Sequence, residues 1–164
     1  MNPLEVPLIA HLRRSHALEH ATLHLLAQHN PHLRLIGRTM PEGFYLYGRV
    51  ETEEVATAAK EALARLRAGE RDLAIHPQCG TNLAVTGILA GLFSFAAMWG
   101  RKKPRLAKLP GVLLAATAAT ILAKPLGPII QERITTSAEV EEMTIEKVTR
   151  LGKGVHWVRL GLKS

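Results

Sequence analysis

LAVTGILAGLFSFAAMWG, residues 83–100, decides how the chain is read: eighteen residues with no charge. A helix needs about 20 mainly apolar residues to cross the hydrocarbon core of a bilayer, and about 17 is the lower limit. Gly87, Gly91, Thr86 and Ser94 are small residues of the kind that let membrane helices pack closely. Trp99 stands at the end, where an interfacial aromatic belongs. A second apolar run, Leu109 to Ala123, is shorter. It lengthens if Lys108 and Lys124 snorkel and 125–130 adds apolar length. Pro110 suits a helix start, and Pro125 and Pro128 predict an end or kink near Lys124. The competing reading is a buried helical hairpin in a soluble protein. An uncharged run of this length favours the membrane hairpin, 83–130, with the lipid bilayer as its partner.

The charge agrees. Of 164 residues, 21 are Lys or Arg and 14 are Asp or Glu, a formal net charge of +7. Residues 1–82 balance to zero, while RKKPRLAK (101–108) between the two runs carries five basic side chains and no acid. A nucleic-acid binder usually shows a broader basic stripe, so the expectation is no nucleic acid. The positive-inside rule puts 101–108 in the cytoplasm of a bacterial inner membrane. No cleavable signal precedes the first run, and roughly 80 residues would then have to cross ahead of it, so the side that carries the remaining domain stays open. The chain is 47% hydrophobic and has one cysteine. That composition excludes a disordered chain, an internal disulfide framework and an all-cysteine zinc site.

Around the hairpin the pattern is α+β. Residues 11–29 predict a helix ended by Asn30-Pro31. His32–Arg38 and Phe44–Val50 predict strands about a Met40-Pro-Glu-Gly43 turn. Thr52 caps a second helix, with Val55, Ala59, Ala62, Leu63 and Leu66 at helical spacing and Gly69 ending it. Asp72–His76 reads as a short strand. After the hairpin, 134–140, 143–151 and 155–162 read as extended, with Gly152-Lys-Gly154 as a hairpin turn and an imperfect alternation before it. The expected fold is a small mixed sheet with two helices, built from 1–82 and 131–164 and interrupted in sequence by the hairpin.

The most chemical stretch is His16-Ala-Leu-Glu19-His20. The i, i+4 spacing puts both imidazoles on one helical face, and His24 continues the row. Such a pair can hold zinc or another divalent metal, with Glu19 polarising a bound water. The string H-x-x-E-H resembles that of the inverzincin peptidases over these five residues, but the downstream glutamate that completes the zinc site there has no counterpart here. On a helical wheel the row lies opposite the best apolar edge, so the plain alternatives are a solvated face or satisfied partners in a tight fold. His76-Pro-Gln-Cys79-Gly-Thr-Asn82 is the second candidate. Cys79 near a helix N-terminus has the environment of an activated thiol, with His76 as base, or of a further metal ligand beside His76 in an H-x-x-C turn. A small buried residue is the plain alternative for Cys79. Asn82 and Gln131, at the polar ends of the two runs, should be neighbours if both helices cross fully.

HALEHATLHLL, GRTMPEGFYLYGRV, AIHPQCGTNL and QERITTSAEV together resemble an uncharacterised family of small bacterial membrane proteins, a domain of unknown function. The resemblance spans nearly the whole chain. It implies a membrane location and no established activity, and it assigns no catalytic residue. Three functions remain: a membrane-anchored binding or assembly module, with a protein partner and a metal on His16, His20 and His76; a metal-dependent hydrolase with Glu19 as general base; and a thiol enzyme using Cys79.

Overall fold

A histidine-rich helix, α1 (Pro7–His29), opens the chain in the computed structural model, which describes residues 3–99 and 105–162. It starts a turn earlier than the periodicity predicts. Pro7 sits in its first turn, where the missing N–H has no helical partner to lose. Next come β1 (Ile36–Met40), β2 (Gly43–Tyr47), α2 (Thr52–Arg67), α3 (Gly80–Met98), α4 (Arg105–Ile130), β3 (Met143–Gly152) and β4 (Val155–Leu162). The chain divides into two compact units, Met1–His76 with Glu132–Ser164, and Pro77–Gln131.

In the first unit the sheet order is β1-β2-β4-β3, and every pairing is antiparallel rather than mixed. Short turns join β1 to β2 and β3 to β4, and such turns can only join antiparallel neighbours. The α+β class holds, and strands from before and after the hairpin share one sheet through β2 and β4. Phe44, Leu46, Val158 and Leu160 alternate onto one face and are buried with Leu18, Ala21 and Leu25 of α1 and Val55, Ala59, Ala62 and Leu66 of α2. The imperfect alternation of β3 has a cause: register shifts fall between Ile145 and Lys147 and between Arg150 and Gly152. Glu51, not Thr52, caps α2 and forms a reciprocal capping box with Glu54.

Two expected strands are absent, for one reason. Residues 71–74 form a 3-10 turn, and 131–135 a π-helical turn followed by irregular chain. The carbonyls of Ala74 and Ile75 accept hydrogen bonds from histidine rings. Those of Arg133 and Thr136 accept from Arg13, and that of Thr135 from His16. With their carbonyls engaged by α1 side chains, these segments have little left for a ladder.

The second unit is a helical hairpin. The Gln131 amide donates to Asn82 Oδ1 at 2.7 Å at one end, and Lys108 donates to the Met98 carbonyl at 2.9 Å at the other. The helices are therefore antiparallel, and the two polar ends are neighbours as expected. Ala119, Ala123 and Gly127, spaced by four, are the buried stripe of α4. Gly87 and Gly91, the small residues the sequence nominated, have open space around them instead. Pro110, Pro125 and Pro128 all lie inside α4, so it does not stop near Lys124. The widened π-helical turn at 131–135 follows directly, a form of local adjustment that accommodates lost helix hydrogen bonds. Gly80–Met98 and Leu106–Thr135 are both long and apolar enough to cross a membrane. Most of the basic loop, 101–104, lies outside the described residues.

Candidate functional site

The site grows from one face of α1. Residues 13, 16, 20 and 24 are three or four apart and so stack along one side of the helix. That side is not solvated: His20 is 2% exposed, and His16 and His24 are half-buried. Of the two plain alternatives the solvated face is the one that fails, because α1 is enclosed nearly all round, with Ser15, Glu19 and Thr22 buried beside its leucines. The polar row faces backbone rather than water.

Each imidazole of the row is oriented by a carbonyl. His16 Nδ1 bonds Thr135 O at 2.9 Å, His20 Nδ1 bonds Ala74 O at 2.7 Å, and His24 Nε2 bonds Ile75 O at 2.8 Å. A carbonyl only accepts, so the bonded nitrogen must carry the proton. The lone pairs then reside on His16 Nε2, His20 Nε2 and His24 Nδ1. His76 joins the group, its ring centroid 5.5 Å from that of His20 and 4.9 Å from that of His24. The His16 and His20 centroids are 4.3 Å apart, and a nitrogen of one lies within 4.8 Å of a nitrogen of the other. Burial, followed by the neighbouring His20 and His24, pushes the His76 pKa down to about 4. His76 is therefore a neutral imidazole at pH 7, the form that binds metal.

Arg13, in the same face, donates to Arg133 O at 3.1 Å and Thr136 O at 2.9 Å, and its own carbonyl accepts from Ser137 N. One helix face thus holds 74–76 and 133–137, the two segments through which the chain leaves and re-enters the sheet unit. A cleft of about 380 Å³ opens beside them, lined by Arg13, Arg71, Asp72, Glu132, Arg133 and Glu139 among others. The sequence contained a signal for Arg13, which stands three residues before His16, but arginine has no place in a metal-ligand pattern.

Glu19 is buried, and the Thr39 hydroxyl on β1 donates to its carboxylate. A Cβ built on Gly37 would lie 2.1 Å from Glu19 Oε1, so only glycine fits beneath it. These contacts turn Glu19 toward the sheet. Cys79, in the hairpin unit, is buried at the N-cap of α3, where its sulfur accepts from Thr81 N at 3.4 Å. That is the helix N-terminal placement expected of it. In the same turn, Asn82 Nδ2 donates to Pro77 O at 2.8 Å.

The family model described as Domain of unknown function (DUF6391) matches residues 11–148 of the chain. An uncharacterised protein of Picosynechococcus sp. is 36% identical over 165 residues, covering 91% of this chain and 78% of that one. No solved structure matches.

Proposed function

The chain belongs to this family of unknown function, and from that premise we propose that it is a membrane-anchored metal-binding module. Its ion, zinc or a similar borderline divalent metal, is held by His16, His20 and His76. One observation carries the reading: His16 and His20 each give one ring nitrogen to a backbone carbonyl, which fixes the tautomer and leaves the lone pair on the other nitrogen, and the neutral ring of His76 packs against His20. Metal-ligating histidines are oriented in this way. The spacing is compatible. With a metal–nitrogen bond of about 2 Å, two imidazoles on one tetrahedral ion have centroids about 5 Å apart, against 4.3 Å and 5.5 Å here. Neutral nitrogen donors select zinc, copper or nickel over magnesium or calcium. The two-residue spacing from His76 nominates Cys79 as a sulfur ligand, on sequence grounds.

The anchor is the hairpin. Only 6% and 11% of its two apolar windows are buried, so neither helix is the core of this chain, and Leu83, Phe95, Leu113 and Leu114 present their side chains outward. The Thr86, Thr117 and Thr120 hydroxyls donate to carbonyls four residues back in their own helices, a self-sufficiency that suits lipid.

The test is elemental analysis of detergent-purified protein beside a His16→Ala/His20→Ala variant. Stoichiometric metal in the first and none in the second is expected; metal in neither overturns the reading. Cobalt substitution adds a readout, because a thiolate ligand gives a charge-transfer band that Cys79→Ser abolishes. A metal-dependent hydrolase is the second reading, supported by the His16-x-x-Glu19-His20 spacing. It requires that Glu19→Gln abolish hydrolysis while metal content is kept.

A further inference from the structure

Both tyrosines of the chain and one of its two tryptophans lie together on one surface. Aromatics are 4% of the sequence, so this grouping needs a reason. Phe44, Leu46, His156, Val158 and Leu160 face the helices, and their strand neighbours Tyr45, Tyr47, Trp157 and Arg159 point to the opposite side of the sheet. No described helix of the sheet unit covers that side, and the three rings are half-buried. Tyr45 lies directly opposite Trp157 on β4 and Arg38 on β1, and Trp157 lies opposite Thr149 on β3. One row thus crosses all four strands as Arg38, Tyr45, Trp157, Thr149. The Tyr45 and Trp157 centroids are 4.5 Å apart, and Tyr47 stacks on Tyr45 at 6.1 Å with 28° between the planes. Exposed Lys147 pairs with exposed Arg159 in the next row, and Glu146 answers only Arg159, at 3.0 Å.

We propose that this open face binds single-stranded nucleic acid, with bases stacked on Tyr45 and Trp157 and phosphates met by Arg38, Lys147 and Arg159. Base–aromatic stacking on an open antiparallel sheet is a general solution for single strands, and it is sequence-tolerant. Surplus cations around the rings call for an anion, which disfavours a neutral sugar. The four strands span about 14 Å, enough for about two stacked bases. This departs from the expectation from charge along the sequence, because Arg38 lies more than a hundred residues before Lys147 and Arg159 and shares a face with them only in the sheet.

The experiment uses the full chain in detergent with Trp99→Phe, leaving Trp157 as the sole indole. Titration with a twelve-residue oligothymidylate is expected to quench Trp157 saturably. Affinity should fall with salt, with a slope near −0.7 for each of two or three phosphates. Tyr45→Ala should weaken binding about five- to a hundredfold. Arg38→Ala/Lys147→Ala, both at exposed positions, should flatten the salt slope with the fold unchanged, which keeps the test valid if Tyr45→Ala does not fold. Absence of quenching overturns the proposal. So does equal quenching by inorganic polyphosphate, which would reduce the face to a charge patch. Response to anionic lipid vesicles with none to the oligonucleotide would assign it to a membrane surface instead.

Discussion

Gly37→Ala tests how α1 is seated on the sheet, and with it the aim of the histidine row. The added Cβ would lie 2.1 Å from Glu19 Oε1, 2.4 Å from Cδ and 2.7 Å from Cγ. All three are far inside contact distance, so the Glu19 side chain must move. Were it exposed, the move would cost little. It is 5% exposed and bonded to Thr39. Displacing it breaks a charge-assisted hydrogen bond, about 1.5–3 kcal/mol, and forces repacking, about 1–3 kcal/mol. The expected loss is about 2.5–6 kcal/mol of sheet-unit stability. Urea unfolding in detergent, followed by Trp157 fluorescence in the Trp99→Phe background, measures it. Glu19→Ala removes the obstacle, so Gly37→Ala should cost under about 1 kcal/mol in that background, and the double-mutant cycle should show strong coupling. A single Gly37→Ala within about 0.5 kcal/mol of the parent, or additive costs, would refute the reasoning and release Glu19 from its place on the sheet.

Acid should destabilise the sheet unit. His76 titrates near 4 folded against 6.5 unfolded, so the unfolded state binds more protons between those values and stability falls as pH drops from about 6.5 to 4. A fully buried ring with this displacement would contribute about 3 kcal/mol at pH 7; half-buried His76 should contribute about half of that, read as the difference between urea midpoints at pH 7 and pH 4.5. His156 acts in the same direction, lowered by burial and then by Arg150. It is fully buried and neither ring nitrogen has a hydrogen-bond partner among the described residues, so His156→Leu should stabilise by about 1–2 kcal/mol at pH 7 and blunt the acid response. In the hairpin, a Cβ on Gly127 would meet Asn82 Oδ1 at 2.3 Å, so Gly127→Ala should disrupt the Asn82–Gln131 bond and lower the thermal midpoint. Gly87→Ala, with nothing within 4 Å, should leave the midpoint unchanged or raise it.

What could be read from the sequence was what repeats or follows local chemistry. The apolar runs, the α2 periodicity, the Gly152–Gly154 turn and the meeting of Asn82 with Gln131 were all legible. The unread parts depend on partners far along the chain. Residues 72–76 have strand-like composition, yet their carbonyls are claimed by histidines more than fifty residues earlier. Wheel geometry could not show the burial of the histidine row, because the polar surface enclosing it is backbone. The aromatic face escaped notice for a similar reason: Tyr45 and Trp157 meet only through the β2–β4 pairing.

That pairing also sets a schedule. β2 leaves its second edge open until β4, more than a hundred residues later, has been synthesised. In the interval Phe44 and Leu46 lack Val158, and the hairpin must be made before the sheet can close. The bond between Asn82 and Gln131 shortens the wait. By joining the ends of the inserted helices, it reduces the loop to be closed from about 107 residues to about 60, an entropic saving of about 0.5 kcal/mol. The larger gain is kinetic, because a formed hairpin delivers the late strands beside the early ones in place of a diffusive search. A chain that stalls after residue 131 would carry an open sheet edge and an uncovered apolar face, the two features that recruit aggregation or a chaperone. Burial of that face thus waits on residues 143–162.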